Sequence, residues 1–365
     1  MTAVRIPFAA LTPREDGDAV RAAVARVVDS GWYVLGPEVE AFEREFAEAC
    51  GSSHAVGVGT GTDAIALALR GLGIGPGDEV ITTPLSAAFS ALAIVMAGAT
   101  PVFADIDPDR LTIDPSAVER VVTPRTRAIL PVHLYGQAAD MSALAAIATR
   151  HRLAIVEDCC QAVLGQAAGR SIGTVGIAGA FSFYPTKNLG ALGDGGAVTT
   201  DDAALADRIR RLRNGGQAGR DEHAEPGVNS RLDEMQAAIL RARLPFLAAW
   251  TATRRALARQ YRSGLSDSGL TVPCECDPGH VYHLFVTLAG EGRRDDVRRH
   301  LAGRGIETLV HYPRPIPAQP AFGARSSDAW PVCGAVCRRI LSLPLHPGLD
   351  AAAVAEVVTA VHDFH

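Results

Sequence analysis

A chain of 365 residues exceeds what one hydrophobic core usually supports, so two domains are expected. With 48% apolar and 21% charged residues, it has an ordinary globular composition, which excludes a disordered or fibrous protein. The formal charge of −5 is mild and the densest cationic stretch is Arg208 to Arg213, so nothing suggests a nucleic-acid partner.

Seven cysteines in so long a chain do not make a disulfide framework. Cys274/Cys276 and Cys333/Cys337 lack the paired spacing of a zinc site, so no metal is expected. Buried thiols in a reducing cytosol are the better reading. Met1 to Phe8 has no apolar core, so no signal peptide is expected and the location is read as cytoplasmic.

From residue 50 to 200, short apolar runs alternate with helical segments. His54 to Val58 reads as a strand, Asp63 to Leu72 as a helix, and Val80 to Thr83 as the next strand. Pro84 to Ala104 carries no charge and is about long enough to span a bilayer. Its Pro84, Gly98 and Pro101 split it instead into a buried helix and a strand, so no membrane span is expected. Ala128 to Val132, a helix from Asp140 to His151, and Ala154 to Val156 follow. Strands that are apolar throughout, separated by helices of ten or more residues, predict an α/β architecture with a mostly parallel sheet covered on both faces. Ligands of such sheets sit beyond the carboxyl ends of the strands.

The pattern breaks near Pro245, which places a large domain at 1–245 and a smaller one at 246–365. Leu232 to Leu244 is predicted helical, and Trp250 to Gly264 forms a second, Arg-studded helix. Tyr282 to Val286 reads as a strand and Asp295 to Ala302 as a helix. Four prolines make Pro313 to Pro320 a loop, and Leu341 to Pro347 ends in a turn expected to be exposed before a last helix.

Three local patterns carry chemistry. Gly59-Thr60-Gly61-Thr62-Asp63 joins a strand to a helix, where free first-turn N–H groups favour a phosphate. Taken alone this is a weak signal, because a capped helix with Thr62 or Asp63 at its N-terminus accounts for most such matches, and Ala64 stands at the third glycine of the G-x-G-x-x-G pattern. Asp158 follows directly on the strand Ala154 to Val156; such an acid also caps helices or binds metals. Lys187 lies between Phe181-Ser182-Phe183-Tyr184 and the nearly uncharged Leu189 to Gly196, where an apolar setting eases loss of its proton.

A lysine in a small-residue loop and a carboxylate at an earlier strand tip are what pyridoxal phosphate (PLP) needs. The amine holds the aldehyde as a Schiff base, and the carboxylate keeps the ring nitrogen protonated. Opposite unit charges about 4 Å apart contribute roughly 4 kcal/mol at an effective dielectric near 20, ample for that purpose. Gln161 is spaced to reach the ring's phenolic oxygen, and Ser182 to donate to a phosphate.

The sequence resembles the DegT/StrS-type nucleotide-sugar aminotransferases nearly end to end. The matching text includes Gly31-Trp32-Tyr33, Gly61-Thr62-Asp63-Ala64, Pro131 to Gln137, the Asp158 and Lys187 segments, Asn229 to Glu234, His311-Tyr312-Pro313 and Leu341 to Pro344. The resemblance implies a PLP-dependent transferase of fold type I with a smaller α+β C-terminal domain. It implies transfer of an amino group from L-glutamate, or glutamine, to a keto group of a nucleotide-activated deoxy sugar. Lys187 is then the catalytic residue, and Gly61, Thr62, Asp63, Ala88, Asp158, Gln161 and Ser182 contact the cofactor. Asn229 is implied to complete the phosphate site from a neighbouring subunit, making a homodimer with shared sites. Tyr33, Tyr184, Arg220, His311 and Tyr312 are implied to line the substrate cleft.

Two positions depart from many relatives. The residue expected to stack on the cofactor ring is Ala88, with Phe89 beside it as a substitute. Pro317 stands where many relatives have a second histidine. A sugar dehydratase, a keto-cyclitol aminotransferase and a non-catalytic PLP-binding module are the alternative readings; dehydratases of the family carry histidine in place of the lysine.

Overall fold

The computed structural model describes residues 4–364; Met1 to Ala3, at the start of the segment read for a leader, and His365 lie outside the described residues. The central sheet has seven strands: β1 (His54–Val58), β2 (Glu79–Thr82), β3 (Thr100–Phe103), β4 (Thr126–Leu130), β5 (Ala154–Asp158), β6 (Ala178–Ser182) and β7 (Gly196–Thr200). Their spatial order is β1-β7-β6-β5-β4-β2-β3. Only β7 runs antiparallel to its neighbours, so β1 and β6 end on the same edge as the parallel strands.

Helices cover both faces, as all-apolar strands require. On one side Ile65, Leu67 and Leu69 of the helix Gly61–Gly71 pack with Val56, Val80, Leu130, Val156 and Val198. On the other, Phe42 and Phe46 meet Phe181 and Phe183 edge to face, with centroids 5.1–5.3 Å apart. The uncharged stretch after Pro84 divides into the eight-residue helix Phe89–Met96 and β3. Among the described residues no helix is long and apolar enough to cross a membrane.

Pro245 lies in a tight turn, Leu244–Phe246, between the helices Glu234–Arg243 and Leu247–Gly264. The second helix sends Leu257, Ala258 and Tyr261 into a separate core built from Ile6 and residues out to Val361. There β8 (Phe285–Leu288) pairs antiparallel with β9 (Ile340–Leu343), flanked by Arg294–Gly303 and Ala351–His362.

Two expectations need correction. The strand predicted from Tyr282 begins only at Phe285, because Val281 and Leu284 donate instead to the carbonyls of Gly136 and Tyr135. The turn expected to be exposed at the end of Leu341 to Pro347 is only partly exposed at Pro347, and His346 before it is buried. The Pro313 to Pro320 segment is irregular apart from short helical turns at Ile316–Ala318 and Pro320–Phe322.

Candidate active site at the carboxyl edge of the sheet

Three strand ends converge. β1 delivers the Gly59 to Asp63 turn, β5 delivers Asp158, and β6 delivers Ser182. A Cβ placed on Gly61 would lie 2.6 Å from the Ser182 Cβ and 2.8 Å from the Cys160 Sγ, so only glycine lets the turn come this close. Thr60 caps the following helix by accepting from the Asp63 N–H at 3.0 Å. First-turn N–H groups have no intrahelical acceptor, so those of Gly61 and Thr62 remain to face a ligand. The Asp63 carboxylate is turned to internal use and accepts from the Ser230 hydroxyl at 2.8 Å.

Asp158 is buried and held from two sides. The Ser90 hydroxyl donates to Oδ2 at 2.7 Å and the Cys160 N–H to Oδ1 at 3.1 Å. Beyond Ser182 the chain turns through residues 183–195, and the Lys187 N–H donates to the Tyr184 carbonyl at 2.8 Å. The next residue anchors the loop. Asn188 donates to the Val281 carbonyl at 3.0 Å and accepts from His283 Nδ1–H at 3.2 Å. The half-buried Lys187 amine has no hydrogen bond or ion pair among the described residues. Burial lowers its pKa below the usual lysine range, against the opposing pull of Cys160 and Asp158. The backbone is fixed while the amine stays free, as a nucleophile needs.

Above Lys187 opens a cavity of about 410 Å³ whose lining includes Gln161, Arg254, His283, His311 and Tyr312. Gln161 accepts from the Tyr135 N–H at 2.8 Å and donates to the Tyr312 hydroxyl at 3.1 Å. Burial, with Lys187 nearby, holds His311 neutral with its pKa down to about 4, and Nδ1 shares a proton with the Ser342 hydroxyl at 2.8 Å. His283 is held neutral by the same causes, burial first. A free amine, a buried carboxylate and a glycine cradle with spare N–H groups and a hydroxyl match the aldehyde, ring nitrogen and phosphate of PLP.

A family model described as the DegT/DnrJ/EryC1/StrS aminotransferase family matches residues 14–362. The chain belongs to that family. It is 50% identical over 369 residues to dTDP-3-amino-3,4,6-trideoxy-alpha-D-glucose transaminase of Streptomyces venezuelae, covering 99% of this chain and 96% of the relative. The crystal structure of S. venezuelae DesV in complex with a ketimine intermediate superposes with a TM-score of 0.95 at 50% identity, covering 99% of this chain and 98% of that one. NtdA from Bacillus subtilis, with bound cofactor PMP, superposes with a TM-score of 0.92 at 28% identity, covering 100% and 86%. The fold is thus that of PLP-dependent aminotransferases, and the protein is an aminotransferase.

Within one chain of this aminotransferase, Gly61, Asp158, Gln161, Ser182, Lys187, His311 and Tyr312 gather at the strand ends and the cavity. Ala88 is half-buried against a cluster that includes Tyr135 and partly buried Tyr312, whereas Phe89 is 62% exposed, so the ring beside Ala88 faces outward. Tyr33, Tyr184, Arg220 and Asn229 are exposed and do not line the cavity. Arg220 sits at the tip of a short, exposed hairpin, where its ion-pair partner among the described residues is the adjacent Asp221 at 3.8 Å. Sequence reasoning missed Ser90, His283 and Arg254. Nothing local marks them, since each acts through residues far away in the chain.

His133, Glu157 and Cys159 also cluster, with their potential ligand atoms within 4.8 Å of one another. The network is closed by hydrogen bonds. His133 Nδ1 accepts from the Ala139 N–H, so Nε2 carries the proton and donates to Glu157 at 2.9 Å. Glu157 further accepts from the N–H groups of Gly173, Val175 and Gly176 at 2.7–2.9 Å.

Proposed function

We propose that this aminotransferase moves an amino group from L-glutamate, or glutamine, to a keto group of a nucleotide-activated deoxy sugar, in aminosugar biosynthesis. What carries the reading is Lys187: an unpaired amine beside a buried carboxylate, at the floor of a cavity roomy enough for two substrates in turn. The relative at 50% identity, a transaminase of a dTDP-linked trideoxy aminosugar, supports the substrate class.

When bound, PLP supplies an electrophilic aldehyde and a ring that accepts electrons as a proton leaves the amine-bearing carbon. The chain's own groups do the rest. Lys187 Nζ would hold the aldehyde and, as a free amine, would take the proton from the donor's α-carbon; its lowered pKa suits it to that task. Asp158 would pair with the ring nitrogen, and the Ser90 hydroxyl and Cys160 N–H keep its carboxylate aimed. Gln161 would contact the phenolic oxygen, and Ala88 would lie against the ring. Gly61, Thr62 and Ser182 would hold the phosphate, joined by Asn229 of the partner subunit, while Asp63, expected to join them, is occupied by Thr60 and Ser230.

The active unit in this reading is a cytoplasmic homodimer. Exposed Trp32, Tyr33, Phe89, Tyr184 and Leu192 support an apolar contact face, and Tyr33, Tyr184, Arg220, His311 and Tyr312 line the substrate cleft of the assembled pair. The chain divides at Pro245 into a large domain, 1–245, and a small one, 246–365, a division supported by the separate core of residues 257–361, to which Ile6 is the one contributor from before Pro245 among the described residues.

The test uses the protein loaded with PLP. Adding L-glutamate is expected to bleach the cofactor's visible band with formation of one equivalent of 2-oxoglutarate, and a dTDP-linked keto sugar to restore it. Lys187→Ala is expected to lower turnover roughly 10⁴-fold while the far-ultraviolet spectrum stays unchanged. A parent protein whose spectrum ignores every amino acid would refute the reading.

A further inference from the structure

Three arginines are less than one-tenth exposed among the described residues: Arg213, Arg243 and Arg254. Two have carboxylates to answer their charge, Asp16 buried and Glu43 partly buried. Arg213 pairs with Glu43, and Arg243 Nε meets Asp16 at 2.8 Å. Arg254, 6% exposed on the helix Leu247–Gly264, has no ion-pair partner among the described residues. Burial draws its pKa down to about 10, which still leaves it fully charged at neutral pH. An unanswered buried charge is costly and persists where something else answers it.

The hydrogen bonds of Arg254 are one-sided. Its Nη1 donates to the carbonyls of Leu345 at 2.8 Å, Tyr282 at 3.2 Å and His283 at 3.4 Å. The opposite edge, Nε with Nη2, has no acceptor among the described residues, and Nε is buried. That edge presents two parallel N–H groups, the fork that takes a carboxylate by two bonds. Arg254 also lines the 410 Å³ cavity. One residue links it to the reacting amine. His283 accepts from Arg254 through its carbonyl and donates through Nδ1 to Asn188, the neighbour of Lys187.

We infer that Arg254 is the oxyanion site for the α-carboxylate of the amino donor. This rests on the transamination reading. A donor's α-carboxylate is one bond from the carbon whose amine reacts beside Lys187, so it must lie close to that lysine. The diphosphate of a nucleotide sugar is separated from the keto carbon by the sugar ring. The neutral imidazoles of His283 and His311 bring no competing charge.

The experiment compares L-glutamate with L-isoglutamine, which keeps the amine but has an amide in place of the α-carboxylate. Apparent dissociation constants come from the absorbance change of PLP-loaded protein. Calorimetry with glutarate and with dTDP reports anion binding without turnover. The parent is expected to prefer L-glutamate about tenfold or more, the size of a charge-assisted hydrogen bond. Arg254→Met is expected to erase that preference and weaken glutarate while dTDP binding holds. Arg254→Lys, which keeps a cation to serve the three carbonyls, is expected to fold and to lose most of the preference; it carries the test if the Met variant does not fold. A preference that survives in Arg254→Lys, or in both variants, overturns the assignment. A fall in dTDP affinity with donor preference intact gives the site to the acceptor's diphosphate and equally overturns it. A parent blind to L-glutamate in absorbance but binding glutarate through Arg254 would sink the transamination reading alone.

Discussion

Glu157 and Asp158 are neighbours on β5, both buried, and they face opposite sides of the sheet because successive strand residues alternate. On one side, Glu157 receives donors at both oxygens: His133 and the N–H groups of Gly173, Val175 and Gly176. Burial alone would raise its pKa, but His133 and the backbone donors outweigh burial and hold it low. On the other side, Asp158 has two donors and opens toward Lys187. Equal charge and equal burial therefore serve different ends. A carboxylate whose acceptor sites are filled ties a loop down, and one left with spare capacity can engage a ligand.

The sharpest way to break this contrast is to neutralise each acid in turn. Asp158→Asn is expected to lower turnover about 10²- to 10³-fold, the scale of one lost electrostatic contact to the reacting system, with an unchanged thermal midpoint. Glu157→Gln should do the reverse. One oxygen becomes a donor facing the Gly173 N–H or His133, and the thermal midpoint is expected to fall by roughly 5 °C with turnover per folded molecule retained. If Glu157→Gln lost activity as Asp158→Asn does, the division between the two faces would be wrong.

Acid sharpens it further. A carboxylate held below its usual pKa stabilises the fold above that usual value and loses the contribution as pH falls through the lower folded value. The parent's thermal midpoint should therefore drop below about pH 4.5, and Glu157→Gln should drop less steeply there. His311 acts in a higher window. Its folded pKa near 4 lies below the ordinary 6.5, so between these values the unfolded chain takes up a proton that the folded chain refuses. Stability falls as pH decreases from 6.5 to 4, and His311→Gln should flatten that slope in thermal melts. The smallest effect belongs to the cradle's cap: Thr60→Ala should cost about 1 kcal/mol in stability by freeing the Asp63 N–H.

Much of the site was legible because it is local. An apolar strand followed by Asp158, a glycine turn before a helix, and a lysine between aromatic and small residues each declare themselves within ten positions. The helix Gly61–Gly71 and the strands around it were readable from periodicity for the same reason. Boundaries failed where distant backbone competed, as before Phe285, where Val281 and Leu284 bond the Tyr135–Gly136 turn before pairing can begin.

The order of residues by itself determined the mostly parallel sheet, the edge at which the candidate site lies, and the amine and carboxylate placed there, because alternation and turn chemistry act between near neighbours. Tertiary structure alone decided which acid is saturated, that Ser90 steers Asp158 across 68 positions, and that Arg254, beside the cavity, keeps a buried Nε without an acceptor among the described residues. Hydrogen-bond capacity is spent on partners brought in by folding. No short stretch of chain records whether it has been used up.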